Sequence, residues 1–163
     1  MGSVSKVLSV ILRLGELACA VVIVALLGRF LAIVDDADVY ADPRIIYTTV
    51  IASIALALSI ILMPPFTYSF MAFPLDFIFF VLFLVAFCLL ETITGINTCD
   101  SHWYWSYWGF YWGGFWRTPV VVTGPSDIGW SGCASWKATL AFTFILSIGF
   151  LISSGLVRKV PFV

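Results

Sequence analysis

Two charged side chains, Arg13 and Glu16, stand inside an apolar run that extends from about Lys6 to Val34. Three positions apart, they share one helical face. A carboxylate inside a membrane span can carry a proton or balance a cationic substrate, or it can be neutralised by a neighbouring cation as part of the architecture. Asp76, at the start of a later apolar run, has two readings. It can sit in the first turn of its helix, where the positive end of the dipole favours a carboxylate. It can instead pair with Arg13, because both fall at the same end of their spans and a lone charge in apolar surroundings is expensive. At the opposite end, Arg29 has Asp35 or Asp36 as candidate partners, and Glu91 has Lys137.

Of the four cysteines, Cys19 and Cys88 lie within apolar runs and read as small buried hydrophobes, whereas Cys99 and Cys133 lie in non-membrane sequence. A bond from Cys99 to Cys133 would close about 35 residues and constrain the unfolded loop by roughly 4 kcal/mol in the chain-entropy model. Such bonds persist in oxidising compartments, so this loop is expected to be lumenal or extracellular. His102 is the only histidine, and no CxxC, HExxH or nucleophile elbow is present. The sequence therefore predicts no enzyme, no cofactor and no metal site. It has no basic patch, which excludes nucleic acid as a partner, and Asn97 does not complete a glycosylation site.

Between the paired cysteines lies WYWSYWGFYWGGFW, Trp103 to Trp116, with ten aromatic rings in fourteen residues and glycines at 109, 113 and 114 where the backbone can fold back. Trp and Tyr favour the headgroup level because the ring is apolar and the N–H or O–H wants a polar partner. Trp103, Trp105, Trp108, Trp112 and Trp116 are thus expected to contact the outer leaflet or a neighbouring subunit. The alternative is a small aromatic core under the loop.

The elements that must position these groups follow from composition. The chain of 163 residues is 62% hydrophobic and 10% charged, with a net charge of −1, far from the quarter or so of charged residues in soluble domains. It is predicted to be all-α: a single four-helix transmembrane bundle spanning 1–163 with a disulfide-closed second outer loop. The helices are expected at about 6–34, 43–63, 74–92 and 135–158, with outer loops at 35–42 and 93–134. The first span is read as a retained helix instead of a removed signal peptide. Asp42 followed by Pro43 is a helix N-cap and first-turn signal, and Pro64 and Pro65 end the second helix. Ser53 with Ala57, and Ala55 with Ser59, are small-residue pairs that permit close helix approach. Lys6, Arg13, Arg158 and Lys159 at one end, against Arg44 and Arg117 at the other, place both termini in the cytoplasm by the positive-inside rule.

LRLGELACAVVIVALLG in the first span, LDFIFFVLFLVAFCLL in the third and CASWKATLAFTFILSIGFL leading into the fourth, with the paired cysteines in a longer second outer loop, resemble the MARVEL family of tetraspan membrane proteins, particularly its fungal members. The resemblance covers nearly the whole chain. It departs in having Glu16 where fungal relatives often have a polar amide, and in the richness of the aromatic run. Claudin-like families carry their Trp and Cys signature in the first outer loop, unlike this chain. The MARVEL resemblance implies a non-enzymatic organiser that engages membrane lipids, self-associates as a homo-oligomer and acts in membrane-domain organisation or vesicle trafficking, in the plasma membrane or secretory-pathway vesicles, alone or with other membrane proteins. The alternative function is a small proton-coupled transporter or channel that uses Glu16.

Overall fold

The computed structural model describes residues 3–61, 69–95 and 99–158. Four long helices, α1 (Ser3–Asp36), α2 (Pro43–Ile61), α3 (Ser69–Thr94) and α6 (Cys133–Arg158), form an all-α bundle, and two single-turn helices, α4 (Gly109–Trp112) and α5 (Pro125–Ile128), lie in the connection between α3 and α6. Each long helix is long and apolar enough to cross a bilayer, as expected for an integral multi-pass membrane protein. Consecutive neighbours around the bundle are α1, α2, α3 and α6, and α6 closes the ring against α1.

The buried face of α1 is read directly from residue spacing: Glu16, Ala20, Ile23, Leu27, Phe30 and Val34 are enclosed. They recur alternately at four and three positions, the repeat that keeps a helical seam against its neighbours. On α3, Phe79, Phe83, Ala86 and Leu90 form the matching seam. Phe79 and Phe83 stack against Phe150 of α6 with centroids 5.4 and 5.7 Å apart. The opposite faces remain apolar and uncovered, including Val50, Ile54, Ile78, Val85 and Ile145. That is the pattern of a bundle whose outer solvent is lipid.

Small and hydroxylated residues let the helices approach. Ala52, Ala55 and Ser59 are buried on α2, whereas Ser53 and Ala57 lie on its exposed face. Thr139 and Thr143 bury their hydroxyls by donating to the carbonyls of Ser135 and Thr139 at 2.9 and 2.7 Å. The N-cap at the start of α2 forms as expected, with Arg44 N–H donating to Asp42 Oδ1 at 2.9 Å.

Several boundaries differ from the sequence reading. The helix α3 starts at Ser69, not at Pro74, so Pro74 lies inside it and Asp76 is outside the first turn. Proline supplies a helix-compatible φ, and the neighbouring helices of a bundle tolerate the missing N–H. The dipole explanation for Asp76 therefore does not apply. The helix α1 runs on to Asp36, α3 to Thr94, and α6 begins at Cys133, two residues earlier than expected. The expected end of the second helix at 63, with Pro64 and Pro65, lies outside the described residues. Cys88 is exposed on the bundle surface and Cys19 is half-buried, so neither is the enclosed hydrophobe that its apolar run suggests.

Ala55→Leu should overpack the enclosed face of α2 and lower stability by about 1–3 kcal/mol, whereas Ala57→Leu, facing outward, should leave it nearly unchanged. Thermal unfolding of the two variants in one detergent separates them, and equal melting temperatures would contradict this assignment of faces.

Candidate functional site

Two polar constellations occupy opposite ends of the bundle. At the end where α1 begins and α6 finishes, Arg13 Nη1 donates to Glu16 Oε2 at 2.9 Å and Arg13 Nη2 donates to Asp76 Oδ2 at 2.6 Å. The three residues proposed from the sequence are thus brought together across α1 and α3. Both carboxyls are almost wholly enclosed, with Glu16 3% and Asp76 1% exposed. A fourth member was not foreseen: Ser153 of α6 donates from Oγ to Glu16 Oε1. Gly149, one turn earlier on α6, lies beside the Glu16 stem, where an added Cβ would make an ordinary van der Waals contact at 3.6 Å from Glu16 Cγ. Only the one-turn spacing of Gly149 and Ser153 hinted at this, and many membrane helices share such spacing.

The guanidinium suits this position. Its rigid fork presents two N–H edges to two carboxyls on different helices, which a lysine ammonium matches less well. Removing the cation would leave two enclosed carboxyls without a counter-charge, so the triad ties the register of α1 to that of α3, and through Ser153 to α6.

At the other end, the disulfide Cys99–Cys133 joins the two ends of the long connection with Cα atoms 5.8 Å apart. Inside this closure the aromatic run folds as a π-helical turn, Tyr104–Trp108, that leads directly into α4, followed by a 3₁₀ turn, Phe115–Arg117. The run is therefore helical, not an irregular loop, and it sends rings to both sides.

The inward rings form a core. Trp108 is 0% exposed; it stacks on Phe30 of α1 with centroids 4.2 Å apart, packs on Trp136 of α6 at 4.8 Å, and donates from Nε1 to the Gly132 carbonyl at 3.0 Å. Trp136 in turn donates to Thr94 Oγ1 at 3.2 Å. Tyr104 is equally enclosed and donates to the Ser131 carbonyl at 2.6 Å. Burial pushes its hydroxyl up to about 12, and burial likewise raises that of Tyr107. The expectation that Trp108 lies on a contact surface is thus corrected: its ring fills the space between α1 and α6. Trp103, Trp105, Trp112 and Trp116 are half-buried, each with part of its ring outward.

Close approach requires three glycines, one of them Gly113, where an added Cβ would collide with the Phe115 ring. At Gly109 an added Cβ would fall 2.7 Å from Ile128 Cγ2, and at Gly132, where φ is +76°, it would fall 2.8 Å from the Trp112 ring. Asp127 holds the start of α5 by accepting from Thr123 N–H and Oγ1 at 2.8 and 2.9 Å and from Gly124 N–H at 3.2 Å. These bonds keep its carboxyl below the usual range, led by the Thr123 N–H.

The expected charge pairs at this end do not form among the described residues. Arg29 lies over the Trp112 ring at 5.3 Å and Lys137 over Trp130 at 5.9 Å, so neither Arg29 with Asp35 or Asp36 nor Glu91 with Lys137 is joined. Asp36 instead accepts from Arg117 at 3.3 Å in an exposed pair. Aromatic faces crowd this surface and intercept the cations before they reach a carboxylate. The sequence reading did not anticipate these contacts, although ten rings beside a few cations are a signal for them.

Comparison with protein-family models, with curated proteins and with solved structures finds no match to this chain.

Two outcomes test this geometry. Arg13→Met should destabilise the bundle by about 3–5 kcal/mol, as expected for breaking a buried pair, and Arg13→Met/Glu16→Leu/Asp76→Leu should recover much of that loss in the same unfolding assay. Tyr104 should ionise near pH 12, detected as a late step in a tyrosinate absorbance titration that Tyr104→Phe removes. Because the folded state holds this proton above the ordinary tyrosine value of about 10, its contribution to stability is complete below that value and is lost as pH rises towards the folded value.

Proposed function

We propose that this protein is a non-enzymatic tetraspan membrane organiser of the MARVEL type, which self-associates and engages lipid through the disulfide-closed end of its bundle. The observation that carries this reading is the division of the aromatic end into an enclosed core and an outward apolar rim. Tyr104, Trp108 and Trp136 are enclosed beneath the connection, while Val121, 82% exposed, and Trp130, 74% exposed, project from it. A preorganised apolar rim loses little conformational freedom when it meets a membrane or a second copy.

The interior of the bundle supports a structural role over transport. The cavity beside Arg13 and Asp76 measures about 10 Å³, close to the least volume that holds one water. Glu16 has its oxygens engaged by Arg13 and Ser153. A carboxylate that couples transport needs a wet path to both faces.

The disulfide supports an oxidising compartment for its end of the bundle, and with the cationic terminal end it favours cytoplasmic termini. Plasma membrane and secretory vesicles are among the membranes with that polarity.

Trp105→Ser/Val121→Ser/Trp130→Ser should keep helix content and the disulfide yet reduce clustering, measured by single-molecule photobleaching of labelled protein in liposomes. Trp108→Ser, in contrast, should impair folding. Unchanged clustering of the triple variant would defeat the organiser reading, and Glu16-dependent proton-driven uptake in proteoliposomes would replace it with transport.

A further inference from the structure

Among the described side chains, the terminal end of the bundle sets one cation, Arg13, against two carboxyls, Glu16 and Asp76. With both carboxyls ionised, one negative charge would be uncompensated inside an apolar bundle. A buried carboxyl in that position neutralises by taking a proton. The neighbours offer no second cation among the described side chains: α2 contributes Ser59, α3 contributes Asp76, α6 contributes Ser153, and α1 itself adds only Arg13 and the thiol of Cys19. Lys6 lies seven residues before Arg13 and Arg158 five residues beyond Ser153, about 10 and 7.5 Å along their helices, with their side chains outside the described residues.

The hydrogen bonds distinguish the two carboxyls. Asp76 makes the shorter contact with Arg13, at 2.6 Å against 2.9 Å for Glu16, and charge-assisted bonds strengthen as they shorten. Glu16 alone has a hydroxyl at its other oxygen, Ser153 Oγ, and a hydroxyl accepts as readily as it donates. We propose that Glu16 is a proton-binding site, occupied at neutral pH, in which Glu16 Oε1–H donates to Ser153 Oγ while Arg13 and Asp76 form the ion pair. The proton comes from water and converts a carboxylate to a carboxylic acid, which leaves the cluster neutral. The site stands independently of the organiser reading, because it follows from charge balance within one subunit.

Infrared spectra of the protein in lipid nanodiscs, recorded in H₂O and D₂O at neutral pH, test this directly. The unmodified protein should show one protonated-carboxyl carbonyl band that shifts in D₂O. Glu16→Gln should abolish it. Asp76→Asn should abolish it as well, because Arg13 then balances Glu16. Glu16→Asp should move the band, and Asp76→Glu should leave it in place. The absence of such a band in the unmodified protein would overturn the proposal without reference to any variant. A band that survives Glu16→Gln, or that moves in Asp76→Glu and not in Glu16→Asp, would overturn the assignment to Glu16.

Discussion

The contact on which the bundle most depends is the sharing of Arg13 between Glu16 and Asp76. Each group alone would be a costly charge in an apolar interior. Together they are tolerable only in one relative position of α1 and α3, since the guanidinium fork must meet Glu16 at 2.9 Å and Asp76 at 2.6 Å. Apolar seams in lipid are weakly specific about register, because lipid tails are as apolar as the side chains that would replace them. A buried polar cluster supplies specificity that Leu, Ile and Phe packing does not.

The opposite end is organised by a different force. There the disulfide Cys99–Cys133 limits the freedom of the connection, and the aromatic core under it joins α1 through Phe30 to α6 through Trp136. Every enclosed polar atom of that core with a partner finds it locally: Tyr104 at Ser131, Trp108 at Gly132, Trp136 at Thr94. Rings with a polar edge suit this position, because they fill volume as hydrophobes and still bond to the backbone carbonyls of a connection that has few ladder partners. Trp116 is the exception among the described residues: its Nε1 has no acceptor, and its ring is covered by the Arg117 guanidinium at 4.8 Å.

These two ends divide the labour of the molecule. Charge fixes the helices where the termini lie, and aromatic packing fixes the connection that projects from the bundle. Between them the described surface is mostly apolar side chain, with Ser53 and Cys88 among the exceptions, and is suited to lipid or to another membrane protein. A bundle with a shaped aromatic end agrees with the membrane organiser proposed above.

Features that depend on composition and local spacing are legible in the residues alone. The four spans follow from runs of apolar residues, the cap at Asp42 from one carboxylate before Pro43, and the grouping of Arg13 with Glu16 from helical periodicity. The pairing of Cys99 with Cys133 was legible because the other two cysteines lie in apolar runs. Tertiary structure decided everything that depends on which face meets which neighbour. Ten rings in one run look alike in sequence, yet Trp108 is enclosed and Trp105 is half outward, because the run coils as a helix and only one side of it meets Phe30 and Trp136. Arg29 and Lys137 likewise settled on Trp112 and Trp130 instead of on carboxylates. Ser153, 137 positions from Glu16, entered the charge cluster only through the antiparallel packing of α6 on α1. Local spacing assigns a residue to a face, but the partner of that face is set by long-range packing, which no periodicity encodes.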